Sequence, residues 1–282
     1  MIAIIYSGSR FAIWKLVYKG RLVEQFNTNG INPFFQDKKH LVNIFGKKTE
    51  LINHAEDIRQ VYFFGAGASS KERQHVVQEA LQSYFRFAKV HVYHDMDAIA
   101  LTSCDHKPGI IGIIGSGSNV AYYDGRKVRP NNFGLGYVLG DEGSSNWFGR
   151  QLLRGYLNQS MPEHLRMLFA KKYAVDRKVA LEKVYRNAQP VHYLSSFSEF
   201  MGEHREDPYC RELIRIGFGK LFDLYVVPIY AEHAGLPVYF AGSVAGSFHQ
   251  QLREAAEEKQ IEVTDIVKEP VHNLLNYYIN KN

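Results

Sequence analysis

Apolar stretches near the start of the chain predict a three-strand meander followed by a helix. Ser-Gly-Ser and Lys-Gly turns separate the predicted strands, which cover Met1–Ile5, Phe11–Tyr18 and Arg21–Asn27. Gly30 and Pro33 then interrupt regular structure. The mixture of polar and apolar residues over Leu41–Ile52 predicts a helix.

The next apolar run, Val61–Phe64, is typical of a buried strand and stops at the segment Gly65-Ala66-Gly67. Apolar residues at helical spacing then predict a helix with a buried face made of Val76, Val77, Ala80, Leu81, Tyr84 and Phe85. A further strand, Lys89–Tyr93, ends in His94-Asp95 and precedes a helical segment. This alternation of strands and helices is typical of an α/β protein.

The second half of the chain repeats this opening. The segment "GIIGIIGSGSNVAYYDGRKV" from Gly109 onward contains an apolar strand, a Gly-Ser-Gly-Ser turn, a second strand and an Asp-Gly turn. It matches "MIAIIYSGSRFAIWKLVYKGRLV" as strand, turn, strand, turn and strand. We therefore predict an internal duplication.

A mostly helical region follows, from Ser144 to about Pro237. Ser144 or Ser145 is a suitable N-cap for the first helix, and the acidic pair before it favours a helix N-terminus. A strand at Val238–Ala241 then leads into a glycine-rich turn and another helix, and a last helix begins near Pro270.

Composition and charge limit the classes of function. The 282 residues include 45% hydrophobic and 22% charged residues, which is typical of a globular protein with a large core. The net charge of +5 is spread along the chain, so it favours small anions such as nucleotides and predicts no nucleic-acid partner.

Two cysteines, Cys104 and Cys210, are too few for a disulfide scaffold and fit a reducing cytoplasm. No apolar run approaches the length of a membrane span, and "MIAII" lacks the basic start of a secretion signal. These features predict a cytoplasmic protein without a membrane partner. A homodimer is expected from base rates alone.

Small residues at the tips of both duplicated turns allow backbone amides to converge on one anion. A third glycine-rich turn, Gly242–Gly246, leads into a helix. Three such turns together favour a nucleotide site in a cleft between two lobes.

Three segments resemble a known family, the N-acetylglucosamine kinase group of the BadF/BadG-type ATPases, within the actin, Hsp70 and sugar-kinase superfamily. They are "GSGSN" at 115–119, "GLGYVLGDEGS" at 134–144 and "AGSVAGSF" at 241–248. The resemblance covers nearly the whole chain, and its most specific part is the Gly-Asp-Glu-Gly-Ser loop.

The resemblance implies an α/β fold of two ribonuclease H-like, actin-like ATPase lobes around a nucleotide and sugar cleft. The expected N-terminal lobe covers residues 1–108, with the final helix at 270–282 packing on it. The C-terminal lobe covers 109–269 and carries a helical insertion.

The same resemblance implies an ATP-dependent kinase that phosphorylates N-acetylglucosamine or a related amino sugar, with Mg²⁺ as a cofactor beside ATP. The resemblance assigns Asp95 as the general base, because it closes a strand just before the interlobe helix as the family's catalytic aspartate does. A purely structural alternative is that Asp95 caps this helix. Asp97 is expected to be a solvated side chain.

Four polar residues match the family's sugar contacts: Asn32, Ser118, Asn119 and Asp141. Their amide, hydroxyl and carboxylate groups form directional hydrogen bonds with sugar hydroxyls and an acetamido group. The residues expected to bind ATP are Ser7, Gly8, Ser9 and Arg10 in the first turn, Gly115, Ser116 and Gly117 in the second, and Gly242, Ser243, Val244 and Ala245 in the third.

The first turn departs from the family pattern, which has an acid at its first position and a threonine at its fifth. Here these positions are Tyr6 and Arg10. The acid normally holds hydrated Mg²⁺, and a neutral tyrosine cannot replace its charge. Arg10 is a strong phosphate ligand that can supply positive charge instead. We assign no protein ligand to the metal.

Three functions therefore remain open: an active kinase with altered metal handling, a sugar or nucleotide sensor with impaired transfer, and an ATP-driven activator of a dehydratase. The retained Asp95, Asn32 and Gly-Asp-Glu-Gly-Ser loop favour the first. The activator needs cluster-binding thiolates, and Cys104 and Cys210 lack a suitable spacing.

Overall fold

The computed structural model describes residues 1–8, 10–187 and 189–281. By their internal contacts these residues divide into two units. Unit 1 contains residues 1–107, residues 125–128 and the segment from Glu269 onward, and unit 2 contains residues 108–124 and 129–268. Each unit is built on its own sheet.

The sheet of unit 1 has five strands in the order β3-β2-β1-β4-β5. They are β1 (Ile2–Ser7), β2 (Phe11–Tyr18), β3 (Arg21–Asn29), β4 (Gln60–Gly65) and β5 (Lys89–His94). The first three form an antiparallel meander, and β1, β4 and β5 are parallel. Because β1 is central and covered on both faces, its sequence is a continuous apolar run.

Four helices follow these strands in the chain: α1 (Lys38–Gly46), α2 (Thr49–His54), α3 (Lys71–Tyr84) and α4 (Asp95–Ser103). Asp37 caps α1 by accepting a hydrogen bond from His40 N at 2.8 Å, and Ser70 caps α3 through Arg73 N at 3.3 Å. The predicted helix over 41–52 is two helices, since Lys47 and Lys48 separate α1 from α2.

The sheet of unit 2 has four strands in the order β7-β6-β8-β9. They are β6 (Pro108–Ile114), β7 (Ser118–Asp124), β8 (Val238–Ala241) and β9 (Val263–Val267). Gly112 allows the Phe240 ring to pack directly on β6, because a Cβ at this position would lie 2.4 Å from a ring carbon.

Helices supply most of unit 2. They are α5 (Gly136–Leu139), α6 (Ser145–Leu157), α7 (Glu163–Tyr173), α8 (Arg177–Tyr185), α9 (Pro190–Ser196), α10 (Ser198–Glu203), α11 (Pro208–Leu221), α12 (Val227–Glu232), α13 (Ser243–Ser247) and α14 (His249–Glu257), with a π-helical turn at Phe222–Val226 before α12. Buried aromatic side chains, among them Phe148, Phe169, Phe200 and Phe218, fill the core between these helices.

The predicted duplication holds for its first two strands and fails for the third. In unit 1 the meander continues into β3, whereas the residues after Asp124 form turns and a single bridge at Val128. Arg129 N donates a hydrogen bond to Tyr122 O. The next residue, Pro130, has no amide hydrogen and cannot continue a strand ladder. The repeat of sequence is thus longer than the repeat of structure.

The last helix, α15 (Pro270–Lys281), belongs to unit 1, where it contacts α4 and β1. A buried lysine on β2 points at its first turn: Lys15 Nζ donates to Gln25 Oε1 at 2.8 Å and lies 3.1 Å from His272 Nδ1. Burial lowers the pKa of Lys15, and the negative charge of Glu269 acts in the opposite direction.

Among the described helices, none combines the length and the apolar character that a bilayer crossing requires.

Candidate functional site

The carboxyl ends of three parallel strands meet at one edge of the unit 1 sheet. Ser7 of β1 lies opposite Gly65 of β4, and Gly65 lies opposite His94 of β5. The turn after β1, the Gly-Ala-Gly segment after β4 and Asp95 therefore share this edge. Crevices at the carboxyl ends of parallel strands are the usual ligand sites of α/β sheets.

The first turn is closed by a hydrogen bond from Gly8 N to Phe11 O at 3.0 Å. Arg10 is exposed, and its guanidinium carbon lies 5.2 Å from the centre of the Phe11 ring. The guanidinium is thus in a suitable place to meet an anion. Ser9, the other predicted phosphate contact in this turn, lies outside the described residues.

Ser7 is fully buried, and its hydroxyl is bonded to the main chain of Ile31. The hydroxyl accepts a hydrogen bond from Ile31 N at 2.8 Å, and its one proton has two acceptors within reach, Ile31 O and Gly8 O, each at 3.1 Å. This side chain therefore faces the segment that leads to Asn32. Because the hydroxyl already bonds to the main chain, only the backbone of Ser7 is available for the predicted contact with phosphate, and that contact stays a prediction.

Asn32 is 8% exposed and folds over its own turn. Its Oδ1 accepts from Phe34 N at 3.0 Å, and its backbone N donates to Gln36 Oε1 at 2.8 Å. The carboxamide lies against the α-carbon of Gly67, where a Cβ would be 2.0 Å from Oδ1. Gly67, which sequence reasoning assigned to strand termination, is thus the surface on which Asn32 rests.

Asp95 is the first residue of α4, and its side chain is 13% exposed. Its Oδ1 accepts from Met96 N at 2.9 Å and lies 3.1 Å from His94 Nε2. Within the described parts of the chain, Oδ2 takes part in no hydrogen bond or ion pair. One carboxylate oxygen is therefore held in place while the other is available to a substrate hydroxyl.

Asp97 differs from the expectation of a solvated side chain. Its Oδ2 accepts a hydrogen bond from His94 N at 3.0 Å, so it caps α4 from inside the helix. Burial raises the pKa of Asp97, and the His94 backbone hydrogen bond partly offsets this effect. The capping role considered for Asp95 therefore belongs in part to Asp97.

Tyr6 is partly buried and packs against a cluster that contains Phe64 of β4 and Ala98 of α4. The family resemblance places it where a metal-binding acid is expected. Burial raises its pKa far above the ordinary tyrosine value, and the negative charge of Asp95 adds to this rise. The phenol is therefore neutral and close enough to Asp95 to sense its charge. Among residues 1–8, 10–187 and 189–281, no cluster of three or more acidic, histidine or cysteine side chains could hold a metal ion.

The second turn is built around the carboxylate of Asp141. Gly115 N donates to Gly117 O at 2.9 Å, and Ser118 N donates to Asp141 Oδ1 at 3.1 Å. A Cβ on Gly117 would lie 2.8 Å from the same oxygen, so glycine lets the turn approach the acid. The Ser118 hydroxyl donates to Glu142 O at 2.8 Å. These contacts bring the predicted phosphate and sugar residues of unit 2 together.

Asp141 is buried and has a positive φ of 62°, which is uncommon for a non-glycine residue. Its Oδ2 accepts from Asn146 Nδ2 at 2.8 Å. Burial raises its pKa, while the Ser118 amide and the Asn146 carboxamide favour the charged form. Such backbone strain is typical of functional sites, where surrounding contacts hold it in place.

Asn119 has an unsatisfied buried atom. Its carboxamide lies against Gly134, where a Cβ would be 3.1 Å from Nδ2. Its Oδ1 is buried and finds no hydrogen-bond partner in the described part of the chain. Because buried polar atoms normally have partners, a ligand or water is expected to meet this oxygen.

The third turn joins β8 to α13 and lies beside the second. Gly242 has a φ of 116°, and a Cβ there would lie 2.5 Å from Ile114 O, so only glycine fits. A Cβ on Gly115 would lie 3.9 Å from the hydroxyl of Ser243, which is an exposed residue. Val244 and Ala245 have side chains buried in the core, so only their backbones could contact a nucleotide.

Sequence reasoning missed Asn146, the second residue of α6. It is fully buried, and its Nδ2 reaches both Ser116 O and Asp141 Oδ2. The one signal in the sequence was an asparagine in an otherwise apolar stretch, "NWFG", directly after the Gly-Asp-Glu-Gly-Ser loop.

No protein-family model matches the chain. Solved structures do: a Porphyromonas gingivalis protein, provisionally named an N-acetylglucosamine kinase, is 32% identical, covers 99% of both chains and has a TM-score of 0.91. A similarly named protein from Chromobacterium violaceum is 15% identical over 98% of both chains, with a TM-score of 0.68. A Streptomyces griseus ROK family glucokinase, solved with glucose and AMPPNP, is 16% identical over 97% of this chain and 96% of its own, with a TM-score of 0.56.

The two more distant structures show a shared fold, and they confirm the predicted α/β class and its actin-like ATPase architecture. The Porphyromonas protein is close enough, over almost the entire length, to show common ancestry. This chain belongs to the N-acetylglucosamine kinase-like group of sugar kinases within the actin-like ATPase superfamily.

Proposed function

We propose that the protein transfers the γ-phosphoryl group of ATP to a hydroxyl of N-acetylglucosamine or a related amino sugar. The observation that carries the proposal is the edge of the unit 1 sheet, where Asp95, Asn32 and the turn at Arg10 occur together. Unit 2 supplies a second turn of the same kind, joined to Asp141. Each unit thus presents groups for a phosphate beside groups for a sugar.

In this reaction the free Oδ2 of Asp95 accepts the proton of the sugar hydroxyl. The sugar oxygen attacks the γ-phosphorus, the bond between this phosphorus and the bridging oxygen breaks, and ADP leaves. Positioning and charge stabilisation supply most of the rate enhancement in such transfers. Asn32, Ser118, Asn119 and Asp141 bind the sugar, and the backbone amides of the three turns together with Arg10 bind the phosphates.

The residues present do not fit a protein-held Mg²⁺. A neutral phenol at Tyr6 offers no negative charge, and the charge of Asp95 opposes its ionisation. The metal would therefore enter as part of the MgATP substrate. Arg10 is the residue of the first turn that can add positive charge near the phosphates.

An ADP-release assay tests the proposal directly. Purified protein with MgATP is given N-acetylglucosamine, glucosamine, glucose or N-acetylmuramic acid in separate reactions. We expect sugar-stimulated turnover that is highest with an N-acetylated amino sugar. The proposal fails when none of these sugars raises ADP release above the rate with ATP alone.

Replacement of Gly67 by alanine should weaken sugar binding selectively. The new Cβ would overlap Asn32 Oδ1, and Gly67 has a φ of 77° that alanine adopts poorly. Since the displaced carboxamide loses a directional hydrogen bond, we expect affinity for N-acetylglucosamine to fall about tenfold. Calorimetric titration measures this affinity, with AMPPNP titrated in parallel as the unaffected ligand.

The matched control is Gly20→Ala. Gly20 has a similar φ of 72°, and a Cβ there meets nothing within 4 Å. Both variants therefore carry the same backbone strain, and only one disturbs Asn32. Equal sugar affinity in the two variants would show that Asn32 does not contact the sugar.

A second candidate function is a sugar sensor that binds its ligand without efficient transfer. The burial and neutrality of Tyr6 favour it, because the family's metal-binding charge is missing at that position. The discriminating result is thermal stabilisation by N-acetylglucosamine together with no ADP release.

The dehydratase-activator alternative has less support. Cys104 and Cys210 are buried, and burial raises the pKa of each thiol to about 12. Iron–sulfur clusters need accessible thiolates.

The proposed reaction requires a compartment where ATP is abundant, and we propose the cytoplasm. That the protein is a homodimer stays a prediction.

A further inference from the structure

One buried side chain in unit 1 joins the nucleotide turn to the sugar segment. The Ser7 hydroxyl accepts a hydrogen bond from Ile31 N at 2.8 Å, directly before Asn32, and it lies 3.1 Å from both Ile31 O and Gly8 O, either of which can accept its one proton. Gly30 N also donates to Arg10 O at 3.1 Å. The turn at the end of β1 and the segment that carries Asn32 are therefore one hydrogen-bonded frame.

An equivalent link exists in unit 2, made by a different residue. Asn146 Nδ2 donates to Ser116 O in the second phosphate turn and to Asp141 Oδ2 on the sugar side. Ser145 N adds a hydrogen bond to Gly115 O at 2.9 Å. The Asn146 side chain is fully buried, and its Oδ1 finds no partner within the described residues.

Both links are costly to break, since each is buried. Without the Ser7 hydroxyl, the buried Ile31 N–H loses its acceptor, and without the Asn146 carboxamide a buried Asp141 loses a donor. A displacement of either nucleotide turn is therefore transmitted to the adjoining sugar residue. Ligands that hold the two ends of such a frame stabilise one another's binding conformation.

We propose that Ser7 and Asn146 are positioning residues that couple sugar binding to nucleotide binding, one link in each unit. The inference rests on the proposed function for the identity of the two ligands. It assigns neither residue to direct contact with a substrate.

The test measures affinity for AMPPNP by calorimetry, with and without saturating N-acetylglucosamine. We expect the sugar to tighten AMPPNP binding by about fivefold to tenfold in the wild type, within the usual range of coupling between sites. Ser7→Ala and Asn146→Ala should each reduce this ratio to about twofold or less. Removal of a buried polar group also destabilises the fold, so controls of similar stability are needed.

Val77→Ala and Asp176→Ala serve as these controls. Val77 is a core residue of α3, and Asp176 caps α8 through Val179 N at 2.8 Å. Both substitutions cost stability without touching either turn, so they should keep the wild-type coupling ratio. Loss of coupling in the controls would show that the ratio reports general stability and would overturn the inference.

Hydrogen exchange gives a second measurement that needs no variant. In wild-type protein AMPPNP should slow exchange in residues 30–32 as well as in the first turn. Protection of the turn alone would overturn the inference. Coupled binding of the two ligands without any ADP release would reject the kinase proposal and keep the coupling proposal. Sugar-stimulated turnover with independent binding of the two ligands would reject the coupling proposal alone. Binding of neither ligand would reject both proposals.

Discussion

Asp95→Asn should lower sugar-stimulated turnover by roughly 100-fold to 10,000-fold while sugar affinity changes little. The asparagine keeps the size of the side chain and can still accept from Met96 N, so the start of α4 should persist. What it loses is the basic oxygen that takes the hydroxyl proton. ADP release at saturating sugar and calorimetric sugar titration measure the two quantities.

Asp97→Asn is the matched control for this variant. It changes the same functional group two residues further along α4, and Asp97 Oδ2 already accepts from His94 N. We expect a loss of about 1 kcal/mol in unfolding free energy from the weakened cap and a turnover near that of the wild type. An equal loss of turnover in both variants would indicate that each substitution damages α4, and it would contradict the role of Asp95 as the base.

Tyr6→Asp should destabilise the protein in the absence of metal by about 2–3 kcal/mol, which corresponds to a fall of about 5–10 °C in Tm. The substitution removes a partly buried ring and places a second carboxylate near Asp95. Burial and the Asp95 charge hold the pKa of the new carboxyl above its unfolded value. The stability loss should therefore grow as pH rises above about 4.

Mg²⁺ should reverse part of this loss, because a divalent ion offsets repulsion between two carboxylates. Thermal denaturation with Mg²⁺ and with a chelator measures the effect. Tyr6→Phe is the control, since it keeps the ring, adds no charge and should show no Mg²⁺ dependence. Recovery of turnover in Tyr6→Asp, alone or with Arg10→Thr, would show that the natural turn is impaired.

Eight of the nine strands in the described residues follow from the sequence, because each is a short apolar run bounded by small or polar residues. The ninth, β9, was not predicted, since Thr264 and Asp265 interrupt its apolar residues. The second predicted strand, Phe11–Tyr18, has the observed bounds of β2. The buried strand predicted at Val61–Phe64 is one residue longer at each end, as β4. Asp95 was also predicted to lie at the end of a strand, and it directly follows β5. The sequence marks this boundary because the apolar run of β5 stops at Tyr93, just before His94.

The remaining features depend on contacts between residues far apart in the chain. A serine in a Gly/Ser turn has the same appearance whether it faces a phosphate or, like Ser7, the main chain of Ile31. Gly67 and Asn32 are 35 positions apart, so their contact leaves no local pattern. The missing third strand of unit 2 has a local cause, because residues 125–130 read Gly-Arg-Lys-Val-Arg-Pro with Val128 as their one apolar residue, and Arg129 N bonds to Tyr122 O just before Pro130.

The position of α15 has a consequence for biosynthesis. Leu274 and Tyr278 of this helix pack on the sheet face that holds Ile4 and Phe64, and His272 meets the buried ammonium of Lys15. Ribosomes must translate all of unit 2 before these residues exist, an interval of about 10–30 s at common elongation speeds. Throughout that interval part of one apolar face of the unit 1 sheet is exposed to solvent, and chaperones bind such exposed apolar surface in nascent chains.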